Sequence, residues 1–355
     1  MSQQKPLFES DMPATIAKNG NGTVGIVALS EMASGQEADM FVLMTAKEPL
    51  TTRDGKPYFK VTFRDHSREV NFPIWGDSAW AIDCKEKWTP GLFYKLRATY
   101  RETNYGPQLE IRKIRETNDG DAADGFTPTM CSPQSRFDAR EMFAELVEIA
   151  REKIADLALR ALVLDLLESN HEQLLTLPAA THNHHAFVAG WLEHVLSVTK
   201  TCVYLADKYD DYYPNMQPRL NKGLVVAGGI LHDIGKLREI EESSTGAEYT
   251  ASGNLIGHIL QGRDIVREAA AGREIDAETL LRLEHIIVAH QRLPEWGSPK
   301  PPMTPEALLI HYADDIDAKY HMMAQVLRED TTEGPMTSKK NALFQKIYRG
   351  SQNAV

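Results

Sequence analysis

The apolar residues of this chain change their spacing once, and that change decides its architecture. From about Asp39 to Glu116 they alternate: Phe59, Val61 and Phe63 lie on one side of a segment whose other side is Tyr58, Lys60, Thr62 and Arg64. A period of two marks a strand with one dry face and one wet face. From Arg136 the spacing becomes helical, through Phe143, Leu146, Val147, Ile154, Leu157 and Leu159 to the run from Leu162 to Leu167. Between the two patterns, 118–135 is rich in Gly, Asp, Pro, Ser and Thr, the composition of a linker. Patterns kept apart in this way predict two domains, and 355 residues suffice at ~150 per domain. The expected layout is an extension over 1–38, a β-domain over 39–117, the linker over 118–135, a helical domain over 136–330 and a tail over 331–355.

Within the β-domain, strands are predicted over 41–52, 58–64, 69–75, 92–100 and 109–114, with a short helix over 77–88. Asp54-Gly55 sits at the centre of a turn signal, and Asn104-Tyr105-Gly106-Pro107 forms another. Five short strands with a helix between the third and fourth is the element order of an OB-fold barrel. The expected fold class is therefore multidomain, a small OB-fold β-barrel followed by an all-α domain. The strings TTRDGKPYFKVTFRD and PGLFYKLRA resemble the OB domains of nucleic-acid-binding proteins. On the outward side, Tyr58, Lys60, Arg64, Trp75, Phe93, Lys95 and Arg97 mix aromatic faces with cations. Such a face suits single-stranded nucleic acid, whose bases stack on aromatics without sequence preference. Taken singly, each of these residues reads more readily as a core aromatic or a solvated cation than as a contact.

The formal net charge of −11 argues weakly against a protein that coats nucleic acid through bulk charge. The charge is unevenly spread. Residues 1–117 carry 16 basic and 15 acidic side chains, and Arg53 to Arg115 alone carries 13 against 8. The acidity belongs to the helical half. Three scattered cysteines, Cys84, Cys131 and Cys202, form no CxxC pair, so neither a disulfide framework nor a thiolate zinc site is expected. That usage suits a reducing cytoplasm. The opening MSQQKPLFESDMP lacks an apolar core, so no signal peptide is expected, and no apolar run approaches ~20 residues, so no membrane span is expected either.

The most informative string is Gly228-Gly229-Ile230-Leu231-His232-Asp233-Ile234-Gly235-Lys236, in which an apolar helix ends in adjacent His and Asp. Imidazole and carboxylate together suit a divalent cation. Burying Asp233 there without a cation or partner would be costly. His194, His258 and His290 each sit among apolar residues of predicted helices, and Asp314, Asp315 and Asp317 interrupt the apolar pattern after His311. A single such histidine is usually a satisfied core residue. Several in order around an HD pair are hard to place as core alone. Neighbouring positions point in different directions, so only one of Asp314 and Asp315 is expected to be a ligand. The cluster His182, His184 and His185 reads equally as solvated turn or substrate contact, and His285 as core or surface. No P-loop, GxGxxG or Ser–His–Asp pattern appears.

The order His … His-Asp … His … His … Asp resembles the HD superfamily of metal-dependent phosphohydrolases, over roughly Thr181 to Met323. The resemblance implies an all-helical domain with His194, His232, Asp233, His258, His290 and Asp314 as metal ligands. It implies two ions with Asp233 between them, at the spacing of about 3.5–4 Å usual in two-metal sites. His232 and Asp233 would form the catalytic centre with Lys236, one helical turn on, touching a phosphate oxygen. As a solvated surface residue, Lys236 would do none of this. An OB domain followed by an HD domain is similar to the YhaM-type 3′→5′ exoribonuclease family, through HHAFVAGWLEH (184–194), LHDIGK (231–236), the segment ending in His258, and 295–319. That likeness implies single-stranded RNA, or DNA, held on the OB surface and degraded from its 3′ end. It also implies Mn²⁺ as the favoured metal, with Mg²⁺, Fe²⁺, Co²⁺ and Ni²⁺ as the other divalent choices; within the histidine cluster, His184 and His185 are the candidate substrate contacts. Oligomeric state is left open.

Two other readings compete. One is an HD phosphohydrolase acting on a small nucleotide with a regulatory OB domain; the other is a nucleic-acid-binding adaptor whose metal is structural. The chain reads QRLPEWGSP after His290, without the GYP tripeptide of the branch that degrades cyclic di-GMP.

Overall fold

The computed structural model describes residues 25–350, apart from 104–105, 182–184, 244–245 and 331. It divides into two compact units, 1–133 and 134–355. The expected turn at Asn104-Tyr105 and the residues His182 and His184 lie outside the described residues.

In the first unit the alternating segments become β1 (Glu37–Thr51), β2 (Pro57–Arg64), β3 (Glu69–Trp75), β4 (Phe93–Thr103) and β5 (Gly106–Glu116), with α1 (Ala81–Glu86) between the third and fourth strands. All pairings are antiparallel and the strand order is β3-β2-β1-β4-β5. Contacts between β3 and β5 bring the two edges of the sheet together. This is the OB-like arrangement expected from the pattern. The inner faces of the strands supply Met40, Val42, Met44, Val61, Phe63, Val70, Phe72 and Leu96, all buried in one core. Leu29 and Met32 from the N-terminal segment are buried in the same core, so that segment belongs to the barrel although its composition is polar.

The stretch expected to be a linker behaves differently. It forms 3₁₀ helices over Asp119–Asp124 and Pro128–Cys131. Cys131 and Phe126 pack on Phe41, Leu43 and Phe93, covering the outward side of β1 and β4. Asp121 is buried because Arg115 meets both its oxygens, at 2.6 and 2.7 Å, and Asn118 donates its backbone N–H to it. A Gly/Asp-rich composition reads as solvated, but here Asp121 finds Arg115 and Asn118, and Phe126 and Cys131 find the sheet.

The second unit holds α2 (Ala139–Lys153), α3 (Leu157–Ser169), α4 (His171–Leu174), α5 (Gly190–Tyr212), α6 (Lys222–Leu231), α7 (Lys236–Glu239), α8 (Ala251–Ile256), α9 (His258–Ala270), α10 (Ala277–Ala289) and α11 (Pro305–Glu329). The expectation of helices throughout needs one correction: β6 (Ile240–Ser243) and β7 (Gly246–Tyr249) form a short hairpin. Four-residue strands are too brief to declare a period. Every residue of α6 from Leu224 to Leu231 is buried, as an all-round apolar helix must be. Asn221 caps α6 through the backbone N–H of Leu224, and its own N–H donates to Glu306, a buried carboxylate paired with Arg282. This pins the start of α6 to the start of α11, and α5, α10 and α11 pack around α6. In the tail, the backbone N–H of Thr337 donates to the carbonyl of Ile347, which is buried. No described helix is long and apolar enough to cross a membrane.

Candidate functional site

In the helical unit the central helix α6 delivers His232 and Asp233 at its C-terminal end, and four other elements bring side chains to meet them. The two oxygens of Asp233 face different groups. Oδ2 lies 3.8 Å from Nε2 of both His194 (α5) and His232. Oδ1 lies 3.3 Å from Nε2 of His258 (α9) and 3.6 Å from Nε2 of His290, just past α10. Asp314 (α11) joins the first group, its Oδ1 3.2 Å from His194 Nε2 and 4.0 Å from His232 Nε2. Asp315 turns away and pairs with Lys319. The residues the HD resemblance assigns as ligands therefore converge as two cages that share one carboxylate.

All four imidazoles are anchored through their outer nitrogen. Nδ1 of His232 donates to the carbonyl of Gly229 at 2.8 Å, and that of His290 to the carbonyl of Ile287 at 2.7 Å. Each is the carbonyl three residues back, at the end of a helix. Nδ1 of His194 bonds Asp317 at 2.7 Å and that of His258 bonds Glu239 at 2.9 Å. Carbonyls and carboxylates only accept, so the proton sits on Nδ1 and Nε2 points inward. Metal-binding histidines are oriented in this way. Glu239 also accepts the backbone N–H of His258 at 2.8 Å. Gly235 makes this approach feasible, since a Cβ there would overlap the His258 carbonyl. The glycine of the LHDIGK string thus lets α9 lie against the turn that follows Asp233.

Burial favours protonating the carboxylate of Asp233, but Lys236 and His232 outweigh it and hold the group well below the usual carboxylate range. Asp314 is held at about 2, because His194 and His232 outweigh the same burial. Burial lowers the imidazole of His232 to about 4. Burial together with Lys236 also lowers His258. For His194, burial is overcome by Asp314 and Asp317, which hold it at about 10; for His290, it is overcome by Asp233. Ionised carboxylates and neutral imidazoles are the forms that bind metal, and binding would expel the proton that Asp314 and Asp317 favour on His194. A divalent metal suits this site on the geometry alone: Asp233 Oδ1 and His290 Nε2 are buried and stand beyond hydrogen-bond distance of each other.

Lys236 is buried rather than solvated. Its Nζ lies 3.4 Å from Glu239, and burial, which would lower its pKa, is outweighed by Asp233 and Glu239. Asp317 and Glu239, which orient two of the candidate ligands, were not singled out by sequence reasoning for that role. Both sit one helical turn from a charged residue of the site, and that spacing reads as an ordinary solvated helix face. His185 is also buried, bonded through Nε2 to Asp317 at 3.2 Å.

In the barrel, the predicted outward face divides. Tyr58 and Trp75 are cross-strand partners with ring centroids 5.1 Å apart; Trp75 is 45% exposed, and Lys60 beside them is exposed. Lys95, Arg97 and Arg64 do not form the open cationic face expected of them. Arg97 makes a two-point ion pair with Asp39 at 2.6 and 2.8 Å. Lys95 pairs with Asp124 and lies over the ring of Phe41. Arg64 is half-buried and Phe93 packs under Phe126. Strand alternation says which way a side chain points, not what will cover it. Beyond these pairs, Arg112, Lys113 and Arg115 of β5 join Lys95 and Arg97 along a groove of about 480 Å³.

The span from α5 into α11 carries all six candidate ligands. Residues 191–319 match the HD domain family. An HD domain indicates a metal-dependent phosphohydrolase. Among solved structures, the second OB-fold domain of replication protein A from Methanococcus maripaludis is similar over 26% of this chain and 96% of that one, at 12% identity and a TM-score of 0.21. The OB-like description of the barrel rests on its own strand order.

Proposed function

We propose that this HD phosphohydrolase is a 3′→5′ exonuclease of single-stranded RNA, active also on single-stranded DNA, that releases mononucleotides. The observation that carries the phosphodiesterase part is the shared carboxylate: Asp233 offers one oxygen to His194, His232 and Asp314 and the other to His258 and His290. Two divalent ions, Mn²⁺ in this reading, would be held there and would supply Lewis acidity and a water of lowered pKa. The chain's own residues do the rest. Asp317 and Glu239 keep the ligand nitrogens aimed inward, and Lys236 offers a point charge to a phosphate oxygen. The polymer part rests on Tyr58 and Trp75, a half-buried tyrosine against an exposed tryptophan beside Lys60, on which bases can stack.

The test is incubation of 5′-labelled RNA with Mn²⁺ and either wild type or the His232→Ala/Asp233→Ala double variant. Wild type should give a ladder of shortening products, and the double variant none. Equal degradation by both would sink the metal-site claim. The neutralised Arg97 and Lys95 favour a second reading, hydrolysis of a small nucleotide, and turnover of such a compound with no RNA ladder would select it.

A further inference from the structure

Three side chains gather outside the two cages, and two of them, His185 and His321, lie beyond the span that matches the HD family. His185 comes from the turn before α5, Glu193 from α5 and His321 from α11. The rings of His185 and His321 stand 3.9 Å apart, and His185 Nδ1 is 3.9 Å from Glu193 Oε1. One ligand atom from each of the three lies within 4.8 Å of the others. We propose that His185, Glu193 and His321 form a third divalent-metal site, separate from the cages around Asp233.

The orientation of His185 is the first argument. Its Nε2 bonds Asp317 Oδ2, the atom that also bonds Nδ1 of His194. His185 therefore resembles His194 and His258, with one nitrogen on a carboxylate and the other turned toward further ligand atoms. The backbone is the second. His185 has φ 48°, a left-handed conformation uncommon outside glycine. The surrounding chain enforces it: the His185 carbonyl accepts from the N–H groups of Ala179 and Phe187, and Gly190 lies so close that a Cβ would overlap that carbonyl. Strain of this kind persists only where its surroundings over-determine it, and it collects at functional sites. The donor set is the third. Two imidazoles and a carboxylate suit Zn²⁺ or Fe²⁺, whereas Mg²⁺ and Ca²⁺ prefer oxygen throughout.

The proposal does not depend on the nature of the substrate. The metal-free full-length protein is dialysed against Zn²⁺ as the sole metal, and bound zinc is counted by mass spectrometry. Wild type should hold one equivalent more than His321→Ala, and one more than Glu193→Gln. Asp233→Asn should lose zinc from the cages and keep this equivalent. Thermal unfolding of the metal-free variants, matching wild type, shows that the loss is not unfolding. Equal zinc in wild type, His321→Ala and Glu193→Gln overturns the proposal, as does loss of all zinc in Asp233→Asn.

Discussion

Glu239 grips His258 twice through one oxygen, accepting its backbone N–H at 2.8 Å and its Nδ1–H at 2.9 Å. Removing the charge while keeping the shape should loosen one cage only. Glu239→Gln is expected to weaken binding of one metal equivalent by about 10- to 100-fold, the usual cost of losing an outer partner of a ligand. A competition titration against a chelator measures this, and unchanged affinity for both equivalents would show that the grip does not matter.

Asp233 serves both cages, so its loss should be more severe than that of any single histidine. Metal-ion catalysis is worth several kcal/mol at the transition state, or about 10³-fold in rate. Asp233→Asn should fall by at least that order in phosphodiester hydrolysis while the protein stays folded. A rate within tenfold of wild type would contradict the shared-carboxylate reading.

Stacking on Tyr58 and Trp75 should carry more of the affinity for single strands than Lys95 or Arg97. Each stacked base contributes about 1–3 kcal/mol, so Trp75→Ala should weaken binding of a single-stranded oligonucleotide by roughly 5- to 150-fold. Arg97→Ala removes a cation that Asp39 already neutralises and should cost less. Fluorescence anisotropy at fixed salt separates the two, and the opposite ranking would place the polymer elsewhere on the barrel.

Arg115 holds the carboxyl of Asp121 far below its ordinary value of 3.8, mainly through their side-chain hydrogen bonds. The folded state therefore binds this proton less readily than the unfolded chain does. The stabilisation is complete above the ordinary value and drains away as pH falls below it. Denaturation midpoints followed from neutral pH into that acid range should fall more steeply for wild type than for Asp121→Asn. Parallel curves would mean that the pair contributes nothing.

Gly235→Ala should expel α9 from its seat. The added methyl would meet the His258 carbonyl, and overpacking of this kind costs about 1–3 kcal/mol. Thermal unfolding and zinc content should fall together. An alanine variant with normal zinc content would refute the close-approach role.

Much of this molecule was legible in the chain because its two halves speak in different periods. Strand alternation placed the five barrel strands, and the candidate ligands were visible as His and Asp where apolar residues were due. The resemblance supplied their grouping; spacing alone left Asp314 and Asp315 unresolved, and the packing of α11 against α5 separates them. What escaped was everything that depends on a distant partner. Asp317 and Glu239 look like solvated helix residues until His194 and His258 arrive from elsewhere. Arg97 looks like a free cation until Asp39 is paired to it across β1 and β4.

The cover formed by 119–131 bears on any attempt to separate the two units. A piece that stopped at Glu116, where the strands end, would bare Phe41, Leu43 and Phe93 together and leave Arg115 without Asp121. Its stickiness would then be an artefact of the cut and could pass for ligand binding. The smallest faithful barrel runs to Pro133, where the first unit itself ends.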